Sequence, residues 1–305
     1  MDKKVVVILG PTATHKSVAS LYLADRFPIE IISADSMQFY RGMDIGTAKV
    51  AKEIRSKVPH HMIDIIDISV EYSVADYKKN VIEIINNIIS RGRFPLIVGG
   101  SGLYIRAITE NYPVENSGEP DFKLRSQLSE MPLDELRALA SSVDASQVSR
   151  IGTSDRKRLM RVVEFNKKTG KLISSVENPQ PEFQFLKIGM TKERNTLYKN
   201  VNTRVDRMFE EGLVKEVENL RNENSIWSKT SSQAIGYKEV LDYLEGVINL
   251  EEAKENIKQR TRNFAKRQIT WFKKEPGVIW FDSSELESVL LLIENLVKEF
   301  IYEDK

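Results

Sequence analysis

Five apolar residues, Val5-Val6-Val7-Ile8-Leu9, run directly into Gly10-Pro11-Thr12-Ala13-Thr14-His15-Lys16-Ser17, and from Ser17 to about Arg26 the apolar spacing (Val18, Leu21, Tyr22) turns helical. No other stretch constrains the fold as strongly. An unbroken apolar run of this length suits a strand buried on both faces, as in parallel sheets. The eight residues after it nearly match the phosphate loop G-x-x-x-x-G-K-S/T. In that loop successive backbone N–H groups cradle phosphate, lysine neutralises it, and the Ser/Thr hydroxyl reaches a magnesium ion. The start of the following helix adds a favourable dipole. Gly10, Thr12, Ala13, Thr14, His15, Lys16 and Ser17 are therefore candidate phosphate-binding residues, with Ser17 the candidate metal ligand. One position departs: His15 stands where the second glycine belongs. A Cβ and an imidazole there carry a cost in a loop that needs unusual backbone angles, although histidine tolerates positive φ better than most residues.

The rest of the first third repeats the alternation. Ile29–Ser33, Ile63–Ile66 and Phe94–Val98 read as further strands, and Ser73-Val-Ala-Asp76 reads as a capping box opening a helix to about Ser90. From about Asn111 to Pro181 only helical stretches and turn residues follow. Leu186–Met190 predicts a returning strand, Asn195 to about Arg221 one long helix, and Glu223–Ser232 a polar loop. About Leu250 to Phe272 is helical, Val278–Phe281 a last strand and Glu285–Phe300 a last helix. The pattern predicts an α/β protein. Its core is a parallel sheet of the phosphate-loop type flanked by helices, residues 1–110 and 186–305, with an inserted all-helical domain at 111–185.

Composition narrows the chemistry. The 305 residues include no cysteine, which excludes disulfides, thiolate zinc sites, iron–sulfur clusters and a cysteine nucleophile. A reducing, cytoplasmic setting fits. The longest late apolar stretch, Val289–Ile293, is far below membrane-spanning length. The net charge of +1 conceals an asymmetry: Lys254–Lys274 holds eight basic residues and one acidic, net +7, which leaves −6 for the remainder. Within it Lys258, Arg262 and Lys266 form one helical stripe, interleaved with Phe264, Trp271 and Phe272. Arg156-Lys157-Arg158 with Arg161 forms a second cluster, in the insertion. Such stripes are the footprint of a phosphate backbone; a solvated face is the usual alternative for either one alone, but two clusters, one in each expected domain, favour nucleic acid.

Ligands of open α/β sheets bind beyond the carboxyl ends of the strands. Asp35 and Gln38, just after Ile29–Ser33, share that edge with the phosphate loop, and so does Gly99-Gly100-Ser101-Gly102. Asp35 there is a general base, a metal-shell ligand or a turn cap; Ser101 can donate to a phosphate. Arg204 lies seven residues after Leu197, only about 20° from it around a helix, so it must snorkel from the apolar face or meet an anion.

Together these pieces resemble the bacterial tRNA dimethylallyltransferases. The resemblance rests on Gly10–Ser17, SADSMQFYRGMDIGTAK (Ser33–Lys49), PHHMIDI (Pro59–Ile65), YSVADY (Tyr72–Tyr77), IVGGSGLY (Ile97–Tyr104), SDRKRLMRVVE (Ser154–Glu164), RVDRMFEEGLVKEV (Arg204–Val217), QAIGYKE (Gln233–Glu239) and TRNFAKRQITWF (Thr261–Phe272), in family order across the chain. It implies transfer of a dimethylallyl group from dimethylallyl diphosphate to N6 of the adenosine 3′-adjacent to the tRNA anticodon, with Mg2+ as helper. It implies diphosphate contacts from Thr12, Lys16, Ser17, Ser101 and Arg204, and Asp35 as general base. Ser36, Met37 and Gln38 would surround the flipped adenine. Further tRNA contacts would come from Lys123, Lys157, Arg158 and Arg161 in the insertion and from Gln233, Gly236, Tyr237, Lys238, Arg262, Lys266, Arg267 and Gln268 in the core. A cytoplasmic monomer without membrane association is the expectation. His15 in place of the family's glycine keeps open a weakened tRNA-binding homologue, and predicts that His15→Gly tightens donor binding. A prenyltransferase for free adenine nucleotides and a phosphate-loop kinase are the enzyme alternatives.

Overall fold

The computed structural model describes residues 3–112, 121–177, 179–223 and 226–303; residues 113–120, which fall at the start of the expected insertion, and 224–225 of the polar loop lie outside them. The described chain divides into two units, Met1–Thr109 with Pro181–Lys305, and Glu110–Gln180.

The larger unit carries one six-stranded sheet, all parallel: β1 (Lys4–Leu9), β2 (Ile29–Ala34), β3 (His60–His61), β4 (Phe94–Gly99), β5 (Gln184–Thr191) and β6 (Val278–Asp282), in the order β3-β2-β4-β1-β5-β6. β1 lies inside the sheet, paired with β4 on one side and β5 on the other. Its side chains alternate: Val5, Val7 and Leu9 join one apolar layer with Ile32, Ile97, Val81 and Ile85, while Val6 and Ile8 join the other with Ile31, Leu96, Ile188 and Ile293. Burial on both faces explains why the strand reads as a continuous apolar run.

Helices cover both faces. α1 (Lys16–Ala24) follows the phosphate loop, and α2 (Lys52–Arg55) is one turn. α3 (Val74–Ser90) opens with the expected capping box, Ser73 Oγ accepting from the Asp76 N–H while the Asp76 carboxylate accepts from the Ser73 N–H. α4 (Gly102–Thr109) follows β4.

Three readings change. Ile63–Ile66 is not a strand; the pairing falls on His60–His61, and Ile66 makes only an isolated bridge to Tyr40. Met62 and Asp64 take positive φ (61° and 56°), which ends the extended run, and Asp64 is held there by Lys49 at 2.6 Å and Arg55 at 2.8 Å. The long helix from 195 is two, α8 (Arg194–Glu210) and α9 (Leu213–Glu223), broken at Gly212 with φ +100°. Beyond the polar loop a further helix, α10 (Tyr237–Leu244), precedes α11 (Leu250–Phe272). α12 (Leu286–Tyr302) closes the chain. None of the described helices is long and apolar enough to cross a membrane.

In the smaller unit α5 (Phe122–Glu130), α6 (Leu133–Val148) and α7 (Arg156–Thr169) surround Leu124, Leu128, Leu136, Leu159, Val162 and Val163. Asp121 and Asp155 cap α5 and α7, each accepting from the backbone three residues on. The buried Glu164 accepts from the Asp121 N–H and from Arg125 and Arg161, so its charge is paired within the unit. β5 begins at Gln184, two residues inside the expected insertion.

Candidate active site

The site is built at the carboxyl ends of β1, β2 and β4. Gly10 leaves β1 at φ +140°, and a Cβ on it would stand 2.2 Å from the Met190 carbonyl oxygen, so only glycine fits. The loop then turns through Ala13 and His15, both at φ 62°. Thr14 is fully buried and its hydroxyl donates to the Pro11 carbonyl at 2.8 Å, so it braces the loop internally.

His15 adopts the left-handed conformation that the loop demands, and it precedes α1 in the capping position. Its imidazole lies beside Lys192 and the Ser283 backbone, where burial and then the Lys192 charge lower its pKa. The side chain is not among those lining the pocket. The ring is turned toward the ends of β5 and β6, and the loop already holds the required angle, which argues against a large gain in donor binding on removal of the imidazole.

One pocket is lined by Thr12, Lys16, Ser17, Ser33, Asp35, Gln38, Thr47, His60, Gly100, Arg204, Phe264 and Gln268, among others. Lys16 Nζ donates to the Pro11 carbonyl at 2.6 Å. Burial, reinforced by Arg204 and opposed by Asp35, lowers its pKa to about 7. Arg204 reaches across from α8 and donates to Thr12 Oγ1 at 3.0 Å, and burial lowers its pKa against the pull of Asp35. Here the arginine beside the apolar face does not snorkel away; it enters the phosphate loop. Burial raises the Asp35 pKa, while the Met37 N–H, Arg204 and Lys16 pull it back. Two cations converge with one carboxylate, a surplus of positive charge that suits an anion of phosphate type.

Gln268 has a role that its place on the basic helix did not reveal. It is buried; Oε1 accepts from the Thr12 N–H at 2.9 Å and Nε2 donates to the Gly100 carbonyl at 2.9 Å. Its amide ties the phosphate loop to the Gly100 loop, and the residue lines the pocket. Ser101, at the start of α4, accepts from the Ser36 N–H at 3.4 Å, which links the same loop to the Asp35 turn. Ser36, Met37 and Gln38 are all half-buried on that turn. His60 escaped the sequence reading: Nδ1–H donates to the Val58 carbonyl at 2.7 Å, which leaves a buried Nε2 acceptor without a partner in a pocket-lining residue. Its pKa is lowered by burial.

The RNA-facing residues divide. Tyr237 is fully buried with its hydroxyl on Glu216, and Gly236 is a buried residue preceding α10 whose N–H goes to Glu239. Neither offers a surface to a nucleic acid. Gln233 is exposed; Lys238 is half-buried and pairs with Asp242 at 2.8 Å. On α11 Lys258 pairs with Asp206 at 2.9 Å and Arg262 donates to Asn202 at 2.6 Å, so two of the three stripe residues are engaged within the fold. Lys266 and Arg267 remain exposed. In the smaller unit Lys123, Lys157 and Arg158 are exposed, whereas Arg156 donates to the carbonyls of Leu128, Ser129 and Met131 and closes the end of α5.

Among the described residues no group of three or more His, Asp or Glu side chains could hold a metal ion by itself. Ser17 and Asp35 do supply hard oxygens in one pocket. That donor set fits Mg2+, which keeps most of its shell as water and substrate phosphate.

A parallel sheet, a loop of the phosphate-loop pattern and a cationic pocket containing one carboxylate define a phosphate-loop α/β protein. Residues 38–275 match the model of a particular family, described as IPP transferase. The chain is 42% identical over 306 residues to the tRNA dimethylallyltransferase of Carboxydothermus hydrogenoformans, covering 98% of each. Among solved structures it resembles the full-length tRNA isopentenylpyrophosphate transferase of Bacillus halodurans, with TM-score 0.74 and 38% identity over 98% of this chain and 97% of that one. It also resembles a eukaryotic dimethylallyltransferase acting on tRNA, with TM-score 0.86 and 28% identity over 98% of this chain and 80% of that one. The chain belongs to the IPP transferase family.

Proposed function

We propose that this protein transfers a dimethylallyl group from dimethylallyl diphosphate to N6 of the adenosine 3′-adjacent to the tRNA anticodon, releasing diphosphate. The observation that carries the reading is the convergence of Lys16, Arg204 and Asp35 in one pocket beside the phosphate loop. An adenine amino group is a weak nucleophile, so the reaction needs help at both ends. At one end the loop N–H groups, Lys16 and Arg204 stabilise the charge that develops on diphosphate as the C1–O bond breaks. At the other end Asp35 takes the N6 proton as the N6–C1 bond forms, and burial makes its carboxylate a stronger base than an exposed one. Mg2+, held by the Ser17 hydroxyl, would supply further countercharge to the leaving group.

The adenine must leave its stack to reach the pocket, which costs a few kcal/mol and least in a single-stranded loop. The exposed Lys266 and Arg267 on α11, and Lys123, Lys157 and Arg158 in the helical insertion, support binding of the tRNA backbone. We place the protein in the cytoplasm, as a monomer.

Incubation with dimethylallyl diphosphate, Mg2+ and unmodified tRNA, followed by mass spectrometry of the nucleosides, tests the reading. A dimethylallyl mass gain on adenosine is expected. Tight tRNA binding without transfer would point to a binding homologue. Preferential modification of AMP would point to a nucleotide prenyltransferase, and ATP turnover without tRNA to a kinase.

A further inference from the structure

Glu216 lies on α9, outside the pocket, yet its carboxylate accepts four hydrogen bonds. Oε2 accepts from the backbone N–H of Asp44 at 3.1 Å and of Ile45 at 2.7 Å. Oε1 accepts from the N–H of Gly46 at 3.3 Å and from the Tyr237 hydroxyl at 2.6 Å. Three successive N–H groups pointing at one anion form a nest, and here the anion belongs to the protein. Four bonds use the full acceptor capacity of a carboxylate. The Tyr237 ring closes the arrangement from the other side: a Cβ on Gly46 would stand 2.5 Å from it.

The held loop leads into the pocket through a continuous chain of hydrogen bonds. Beyond Gly46, the Thr47 carbonyl accepts from Gln38 Nε2 at 3.3 Å. Gln38 Oε1 accepts from Ser33 Oγ at 2.9 Å, and Ser33 Oγ accepts from the Asp35 N–H at 3.3 Å. Thr47, Gln38, Ser33 and Asp35 all line the pocket. The phosphate loop is braced separately, by Gln268 and Arg204.

We propose that Glu216, fixed by Tyr237, is a positioning residue for the acceptor side of the site. It sets the Asp44–Thr47 loop, and through Thr47 and Gln38 the Asp35 turn, without touching either substrate. The proposal rests on the prenyl-transfer reading given above. Misplacement of a catalytic group by about 1 Å can cost about 100-fold in rate.

The test uses Glu216→Ala and the milder Tyr237→Phe, which removes only a hydroxyl. The first should lower kcat by about 100-fold and the second by about 5-fold, an order set by the same geometric argument. The KM for dimethylallyl diphosphate should stay within about twofold, because the phosphate loop has its own braces. Amide hydrogen exchange, measured without substrates, should speed up at Asp44, Ile45 and Gly46 in both variants and stay unchanged at Thr12–Ser17. Unchanged exchange at residues 44–46 overturns the inference. So does a rise in donor KM at constant kcat, or a fall in kcat no larger than the fall in folded fraction on thermal melting. A wild-type protein that transfers no prenyl group counts against the proposed function alone, since the exchange rates still decide whether Glu216 holds the loop.

Discussion

The two walls of the pocket are built on opposite plans. The donor wall is local at its centre: Gly10 to Ser17 are consecutive, and the turn of the loop, its internal bond from Thr14 and its lysine arrive together, with Arg204 and Gln268 added from a distance. The acceptor wall is assembled from afar. Asp35 and Gln38 follow β2, Thr47 comes from a loop nine residues on, and Glu216 and Tyr237, which hold that loop, lie about 170 and 190 residues downstream. A local wall can be read from a short motif, because its spacing is its geometry. An assembled wall has no spacing to read, and its essential contacts are to backbone N–H groups, which every residue type carries.

The largest expected effect falls on the acceptor wall. Asp35→Asn keeps the shape of the turn but removes the base. Turnover should fall by about 100-fold to 10,000-fold, the range for loss of general-base catalysis, while tRNA affinity stays within about threefold. Rapid-quench prenyl transfer and filter binding measure the two quantities. Equal losses in both would make Asp35 a structural cap of the turn.

Gln268→Ala probes the join between the walls. It leaves the Thr12 N–H and the Gly100 carbonyl without their buried partner, a loss of about 1–3 kcal/mol. Donor KM should rise by about tenfold, with tRNA affinity within about twofold. A selective loss of tRNA affinity would return Gln268 to the RNA face.

The third effect belongs to the donor wall and has a definite sign. Lys16 is a cation whose pKa is lowered to about 7 by burial beside Arg204. A bound anion favours the charged form and raises that pKa. Below about pH 7 the lysine is already protonated and donor binding takes up no proton there. Above it, binding must take up a proton, so affinity should fall as pH rises, by at most about tenfold per pH unit. Calorimetry in buffers of different ionisation enthalpy should show net proton uptake at pH 8. Affinity independent of pH from 7 to 9 would mean that Lys16 stays charged in the free protein.

The same contrast explains which parts of the structure were legible in the sequence. β1, the phosphate loop and the Ser73 capping box are short-range patterns, and each stands where the pattern put it. In the sequence the apolar run Ile63–Ile66 outweighs His60–His61; what forbids the extended run is the positive φ at Met62 and Asp64, and Asp64 is held by Lys49 and Arg55 from the preceding segment. Helix α10 is only eight residues long and sits between a polar loop and a stronger helix, so its pattern does not stand out. A motif says which residues recur near a function, and not which of them face inward, so the burial of Tyr237 and Gln268 is invisible in it. Their partners, Glu216 and Thr12, are settled only by tertiary packing.

The smallest effect is expected at the one residue that breaks the phosphate-loop pattern. His15 holds φ 62°, a conformation that costs a non-glycine residue about 1–2 kcal/mol. Because its imidazole is outside the pocket lining, beside Lys192 and Ser283, that cost is present with and without donor and cancels in binding. His15→Gly should therefore leave donor KM within about twofold. Two terms act on its stability in opposite directions: relief of the left-handed backbone, and the greater freedom of a glycine in the unfolded chain, about 0.4–1 kcal/mol. The net change should be less than about 1 kcal/mol, measurable by urea titration alongside the donor kinetics. A donor KM that drops tenfold or more would show that the loop must move through angles histidine resists, and would place the departure at His15 within the donor wall after all.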